Sequence, residues 1–299
     1  MRIVINQGAN LPDRAIAHYP IIVAPAHIVV DGESHDPAEG ISHDTLDKWV
    51  KHAREFPHLV GTTAQEFAHM FTDIARDESE IVVVAASRKL IGTYAAASSA
   101  ARTVQERAAY SALKIAIVDS MLVDIGPGML ALAAGEAMRA KIPMRKTVSM
   151  LETMALRARF CSTVATLDNL VRGGRASFLR AWVANFLGVM PLLGMQNGEV
   201  SNAGKIKGNA DRAEAMANEL AKTDAGKKVW VGIAHGSDLT TAHALRRNLE
   251  KKFDVVYSMT IPLNPTAYLH AGRGSVFAVV FPIENLAWEP TTPPDFSLG

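Results

Sequence analysis

The constraint that narrows the fold most is an alternation, through the first half of the chain, of short β-branched runs with longer amphipathic stretches. Residues 2–5, 21–23, 80–85 and 114–118 read as strands. Between and after them, apolar residues recur at helical spacing over residues 43–55, opened by Ser42 as an N-cap, over 65–76, over the alanine-rich 94–108 and over 129–140. Strand and helix in alternation make a parallel sheet covered by helices, because parallel neighbours need a crossover connection between them.

The pattern changes near residue 160. Residues 160–167 read as a strand, and 189–196 and 199–206 as two more on either side of Asn197-Gly198. Both residues of that pair tolerate positive φ, which favours a tight hairpin and hence an antiparallel pairing. Helices are expected at 210–222 and 240–251, strands near 229–233, 255–259 and 275–281, and an extended tail from about 288, where Pro290, Pro293 and Pro294 stand. The fold class is therefore α/β in two lobes: an N-terminal parallel α/β domain over residues 1–158 and a C-terminal mixed-sheet α/β domain over 159–299. A length of 299 residues fits this count, since single cores stop growing near ~250–300 residues. Two lobes imply a cleft.

The charge balance removes several classes of function. With 31 Lys and Arg against 30 Asp and Glu the chain lacks the cationic excess that phosphate backbones demand, and the basic stretch Arg246-Arg247 with Lys251-Lys252 reads as a solvated helix face. No nucleic-acid partner is expected. The 48% hydrophobic content suffices for a packed core, yet no apolar run reaches the ~18 residues of a membrane span, so no stable membrane insertion is expected. The segment MRIVINQGAN has neither a sustained apolar region nor a cleavage site, and Cys161 is the only cysteine; both features point to the cytoplasm. The 10 histidines never fall three or four residues apart, so no metal is expected. Neither a G-x-S-x-G elbow nor a Walker A sequence occurs, and Cys161 lies in an apolar strand pattern as a buried inert thiol. Gly126-Pro127-Gly128-Met129-Leu130-Ala131 spells G-x-G-x-x-A, but it does not directly follow its strand and reads as a helix start with a close turn.

Glycine-bounded polar loops are the remaining signal. Gly61-Thr62-Thr63-Ala64 and the segment from Ser87 through Gly92-Thr93-Tyr94 place hydroxyls at loop-to-helix junctions, the second directly after a strand end, where α/β folds collect ligands. Arg172-Gly173-Gly174-Arg175 offers a guanidinium suited to a carboxylate or phosphate, and His270-Ala271-Gly272-Arg273-Gly274 an imidazole before another glycine pair. Read singly, the hydroxyls cap helices as readily as they bind a ligand, and Arg175 serves equally as a surface turn residue.

In this order the segments resemble the DegV family of bacterial fatty acid-binding proteins. Asn10-Leu11-Pro12 is similar to the family's D-L-P, and Pro25 and Asp31-Gly32 fall where it has a proline and an acidic residue with glycine. Val118-Asp119-Ser120 resembles its central D-S, and Leu167 through Arg175 its L-x-x-L-x-x-G-G-R. Pro191-Leu192-Leu193 with Gly198 and Lys205 matches its hairpin, and His270-x-Gly272-x-Gly274 its H-x-G-P-G. The resemblance implies a long-chain fatty acid buried between an N-terminal parallel domain and a C-terminal mixed domain. It also implies a carrier with no catalytic residue and no cofactor, whose acyl carboxylate a separate fatty acid kinase subunit phosphorylates. By position it assigns Thr62 to the carboxylate, followed by Thr63, then Ser87, Gly92 and Thr93 to the second loop, and Arg175 and His270 to the surrounding polar network.

The family's second loop reads L-S-G-T, whereas Ile91 stands here in place of the serine donor. Thr63 or Ser87 could compensate, and Arg88 and Arg273, which the family lacks, would suit a differently charged head group. The run 182–193, with Phe186, Leu187, Val189 and Met190, reads either as tunnel wall or as plain core. A rival expectation is an enzyme acting on a small anionic substrate in the same cleft, with His270 as general base and Arg175 as anchor.

Overall fold

The computed structural model describes residues 1–164, 167–174, 189–207 and 211–298. Its first half runs β1 (Arg2–Asn6), α1 (Asp13–His18), β2 (Ile22–Ala24), β3 (Ala26–Val30), β4 (Glu33–His35), α2 (His43–His52), β5 (His58–Gly61), α3 (Ala64–Ile74), β6 (Glu80–Ala85), α4 (Thr93–Gln105), β7 (Lys114–Asp119), α5 (Ile125–Arg139) and α6 (Met144–Arg157). Four of these strands form a parallel sheet in the order β2-β1-β6-β7. The second half runs β8 (Arg159–Thr163), α7 (Asp168–Arg172), β9 (Val189–Gln196), β10 (Glu199–Lys207), α8 (Arg212–Leu220), β11 (Lys228–His235), α9 (Leu239–Glu250), β12 (Asp254–Pro262), α10 (Pro265–Ala271) and β13 (Val276–Pro282). Its six-stranded sheet has the order β10-β9-β8-β13-β11-β12 and is antiparallel except for β11 with β12. Asn197 and Gly198 both take positive φ at the turn joining β9 to β10, as the hairpin reading requires.

Side chains on the two sheets alternate with period two, and this alternation sets the layers. Val4, Ile81 and Val83 face α3 and α4, while Ile3, Ile5, Val82 and Val84 face α5 and α6. In the second sheet Val229, Val231, Ile233, Val276, Ala278 and Val280 pack with α8 and α9, while Trp230, Ala234, Phe277, Val279 and Phe281 turn back toward α5 and α6. The central helices therefore lie between the two sheets and belong to one core with both. Ile125 through Ala137 of α5 are all buried, which fits a helix that is apolar on every side. Gly128 in its first turn is required by contact: a Cβ there would lie 2.1 Å from the Asn10 carbonyl oxygen.

Several elements depart from the sequence reading, among them the short helices α1 and α7, neither of which was expected. A small antiparallel sheet, β4-β3-β5, interrupts the parallel pattern, and its strands of 5, 3 and 4 residues, broken by His27, His35 and His58, are too short and too polar to register as strands. No helix was expected at α6, although Met144, Leu151, Met154 and Ala155 of it are buried at helical spacing. α10 spans only 7 residues, and its start is marked by the Asn264 cap and Pro265 rather than by periodicity. The tail has no regular element, as expected, but it is docked. Phe296 is buried beside Tyr19, the Leu298 N–H donates to Thr260 O at 2.8 Å, Tyr257 Oη donates to Pro294 O at 3.3 Å, and Thr291 donates to Glu136 of α5. No helix among the described residues is long and apolar enough to cross a membrane.

Candidate functional site

A cavity of about 330 Å³ opens between the two sheets, at the carboxyl ends of strands β1, β6 and β7. This is where parallel α/β sheets place ligands. One wall comes from loops of the first half: Gly8 after β1, Leu59, Gly61 and Thr62 around the end of β5, Leu90 through Thr93 after β6, and Val123 and Asp124 before α5. The other comes from Phe160 and Ser162 of β8, Val164, Leu170 of α7, Leu193 and Met195 of β9, Val200 of β10, Phe277 of β13, and Thr266, Ala267, His270 and Ala271 of α10. The second wall is mainly apolar. The first carries the glycines Gly8, Gly61 and Gly92 with Thr62 and Thr93, while the second adds the hydroxyls of Ser162 and Thr266.

Each polar group on the walls has a definite neighbour. The Thr62 hydroxyl, 7% exposed, donates to Pro25 O, so its lone pairs rather than its proton are uncommitted. Thr93 is buried and opens α4, whose N-cap Gly92 provides no side-chain bond to the helix N-terminus; the first amides of α4 are thus oriented to favour an anion. Ser162 donates to Leu193 O at 3.5 Å and Thr266 to Asn264 Oδ1 at 2.8 Å. The His270 ring stacks on Phe56 with centroids 5.8 Å apart, and Gly173 admits it: a Cβ at 173 would lie 2.3 Å from His270 Nδ1. Asp124 accepts from Asn10 Nδ2 at 2.9 Å and from the Asn264 N–H at 3.1 Å, which joins the two halves across the cavity rim. Burial lifts its carboxyl to about 7, against the opposing pull of the N–H groups of Asn10, Asn264 and Ile125. Among the described residues no lysine or arginine lines the cavity, and none forms a cluster able to hold a metal ion.

The geometry can be compared with known proteins. The DegV family model, described as an uncharacterised protein family, matches residues 1–282. The chain belongs to the DegV family. A DegV domain-containing protein of Listeria monocytogenes is 26% identical over 278 residues, covering 92% of this chain and 95% of its own. The structure of a fatty acid-binding DegV family protein from Thermus thermophilus superposes with a TM-score of 0.84 at 23% identity, covering 94% of this chain and 100% of that one. A DegV family protein of Ruminococcus gnavus, solved with vaccenic acid, gives a TM-score of 0.83 at 19% identity over 93% of this chain and 98% of that one. The two-domain DegV architecture of a parallel sheet and a mixed sheet is thus present here.

The residues that the DegV motifs single out do not all reach the cavity. Thr62, Gly92, Thr93 and His270 line it together. Thr63 does not: it caps α3, accepting from the Glu66 N–H while Glu66 accepts from the Thr63 N–H and hydroxyl. That capping box holds the Glu66 carboxyl below its ordinary range. Ser87 is buried but turned to the hairpin tip, donating to Gly198 O at 2.6 Å. Arg175 lies outside the described residues, as does most of the run 182–193, of which Leu193 reaches the cavity.

The extra cations of this DegV chain are tied elsewhere. Arg88 pairs with Asp119 at 3.2 Å, and Arg273 pairs with Asp44 and Asp47. Ile91 stands in the wall, and Cys161 is wholly buried with its thiol pushed upward by burial. The glycines of G-P-G sit inside α5, with no dinucleotide geometry around them. Asp124 was passed over by the sequence reading, and its signal was modest: a single acidic residue in the apolar run 121–134.

Proposed function

We propose that this DegV chain is a non-catalytic carrier that binds a long-chain fatty acid in the cavity between its sheets and presents the carboxylate to a separate fatty acid kinase subunit. The observation that carries the reading is the division of the cavity. Aliphatic and aromatic side chains of β8, β9, β10 and β13 dominate one side, which His270 of α10 joins, and Thr62 and Gly92-Thr93 stand on the loops opposite. About 12 buried methylenes gain on the order of 10 kcal/mol before association costs. A volume near 330 Å³ falls in the range of ligand pockets, ~300–1,000 Å³. The carboxylate belongs at the start of α4, where backbone amides and the Thr93 hydroxyl answer its charge. The resemblance of the 167–175 motif to the family's is what assigns Arg175 to the same head group. The DegV proteins solved with fatty acid support the same reading.

Native mass spectrometry of the purified protein, with lipid extraction, tests it. A co-purified fatty acid, or stoichiometric uptake of added oleate or palmitate, is the expected result. A clean apo mass with neither lipid taken up overturns the reading. The kinase step is tested separately, by mixing the lipid-loaded carrier with a fatty acid kinase and ATP; an acyl phosphate that forms only when both proteins are present is expected.

A further inference from the structure

Asp124 is the carboxylate in the described lining of the cavity, and neither the family motif nor the hydroxyl loops explain it. It stands in the cavity wall, 1% exposed, on backbone at φ 52 and ψ −113, a conformation that L residues other than glycine rarely occupy. Three elements hold it there. The loop after β1 supplies the Asn10 amide, the start of α5 supplies the Ile125 N–H, and the junction of β12 with α10 supplies the Asn264 N–H, while Asn10 also donates to Pro262 O at 2.8 Å. A carboxylate has about four lone-pair directions, so three N–H donors leave about one for a further partner. None of the three elements brings a charged side chain against Asp124 among the described residues, and the other titratable group on the described wall is His270 of α10. A second carboxylate in this cavity would meet like charge in a poorly screened setting, and adjacent carboxylates resolve such a conflict by sharing one proton.

We propose that Asp124 is a ligand-binding residue that takes up one proton from solvent as a carboxylate-bearing lipid enters, and shares it with the ligand's head group. The inference rests on the fatty acid reading above and assigns the protonation state of that same site. Burial already brings the Asp124 carboxyl to about 7, so the proton is readily available near neutrality. Above that point the free protein holds Asp124 ionised, binding must recruit the proton, and affinity falls as pH rises. Below it the group is already protonated and the dependence flattens.

Titration calorimetry of oleate, kept below its micelle concentration, in phosphate and in Tris at about pH 8.5 counts the protons, because the two buffers differ in heat of ionisation. About one proton taken up per oleate is expected, with affinity weakening about tenfold per pH unit above neutrality. Oleyl alcohol, which brings no charge, should bind with no such dependence. The proton count should vanish in Asp124→Asn and persist in His270→Gln. Oleate binding without proton uptake, or a count lost in His270→Gln and kept in Asp124→Asn, overturns the inference while leaving the carrier reading intact. Failure of both lipids to bind overturns the carrier reading and this inference with it. Should Asp124→Asn not fold, the comparison of oleate with oleyl alcohol on the unaltered protein decides the matter together with His270→Gln.

Discussion

The imidazole of His270 keeps its place over Phe56 because residue 173 has no side chain to displace it. A methyl group at 173 would have to push the ring away, since the Asn169 carbonyl oxygen, 3.0 Å from the same Cβ position, blocks the other side. Gly173→Ala is therefore expected to weaken fatty acid binding about tenfold or more, with His270 displaced from the cavity wall, while Gly174→Ala is expected to strain its turn without touching the ring. Lipid titration of the two variants beside thermal melts separates the effects; equal binding losses in both would refute the assignment. The sequence revealed the double glycine as a place where backbone could approach closely, but not what approached. A contact between residues so far apart in sequence leaves no local pattern in either segment. Thr63 shows the converse: T-x-x-E before an apolar run is a capping-box signature, and its capping role was legible in the four residues themselves.

At the level of elements, the end of β11 carries a pH-sensitive group. His235 is buried, and neither of its ring nitrogens has a hydrogen-bond partner among the described residues. Burial first, then the neighbouring His43 and His243, hold its imidazole below the ordinary range. An unfolded imidazole titrates near 6.5, so as pH falls through that value the unfolded chain gains a proton that the folded one refuses. The contribution of His235 to stability should thus be complete above about pH 7 and decline below 6.5, by at most about 1.4 kcal/mol per pH unit. Urea midpoints at pH 7.5 and 5.5, compared between the unaltered chain and His235→Phe, check this: the variant should lose less stability toward pH 5.5 than the unaltered chain, and an equal change in both would exclude the residue as a source.

Length alone did not decide legibility, since α6 spans 14 residues and was not expected whereas β2, of 3 residues, was. β6 and β7 are runs of β-branched residues, and the Asn197-Gly198 turn declares its own hairpin. β3, β4 and β5 escaped because His27, His35 and His58 interrupt their apolar residues, and α10 because 7 residues are too few to show a period.

Across the whole molecule the tail acts as a strap. Residues 291–298 touch α1 through Arg14, His18 and Tyr19, α5 through Glu136, and β12 through Tyr257 and Thr260, so a segment without regular structure joins both halves. Deleting residues 286–299 removes the burial of Phe296 and several hydrogen bonds, a loss on the order of 3–5 kcal/mol. A lower urea midpoint with binding of oleate retained below the transition is the expected result. An unaltered midpoint would show that the strap contributes nothing to stability. The sequence showed the tail as extended from its prolines, but proline content says nothing about docking; the anchors are single residues spaced without period.

The placement of α5 carries a last consequence for traffic through the protein. Because one greasy rod is wedged against both sheets, parting the halves like a clamshell would expose the thickest seam of the molecule to water at prohibitive expense. A lipid bound as proposed would pass the cavity rim while the two sheets stay together. Amide hydrogens of α5 should accordingly exchange only when the entire chain unfolds, and more slowly in the loaded protein, because bound lipid stabilises the folded state.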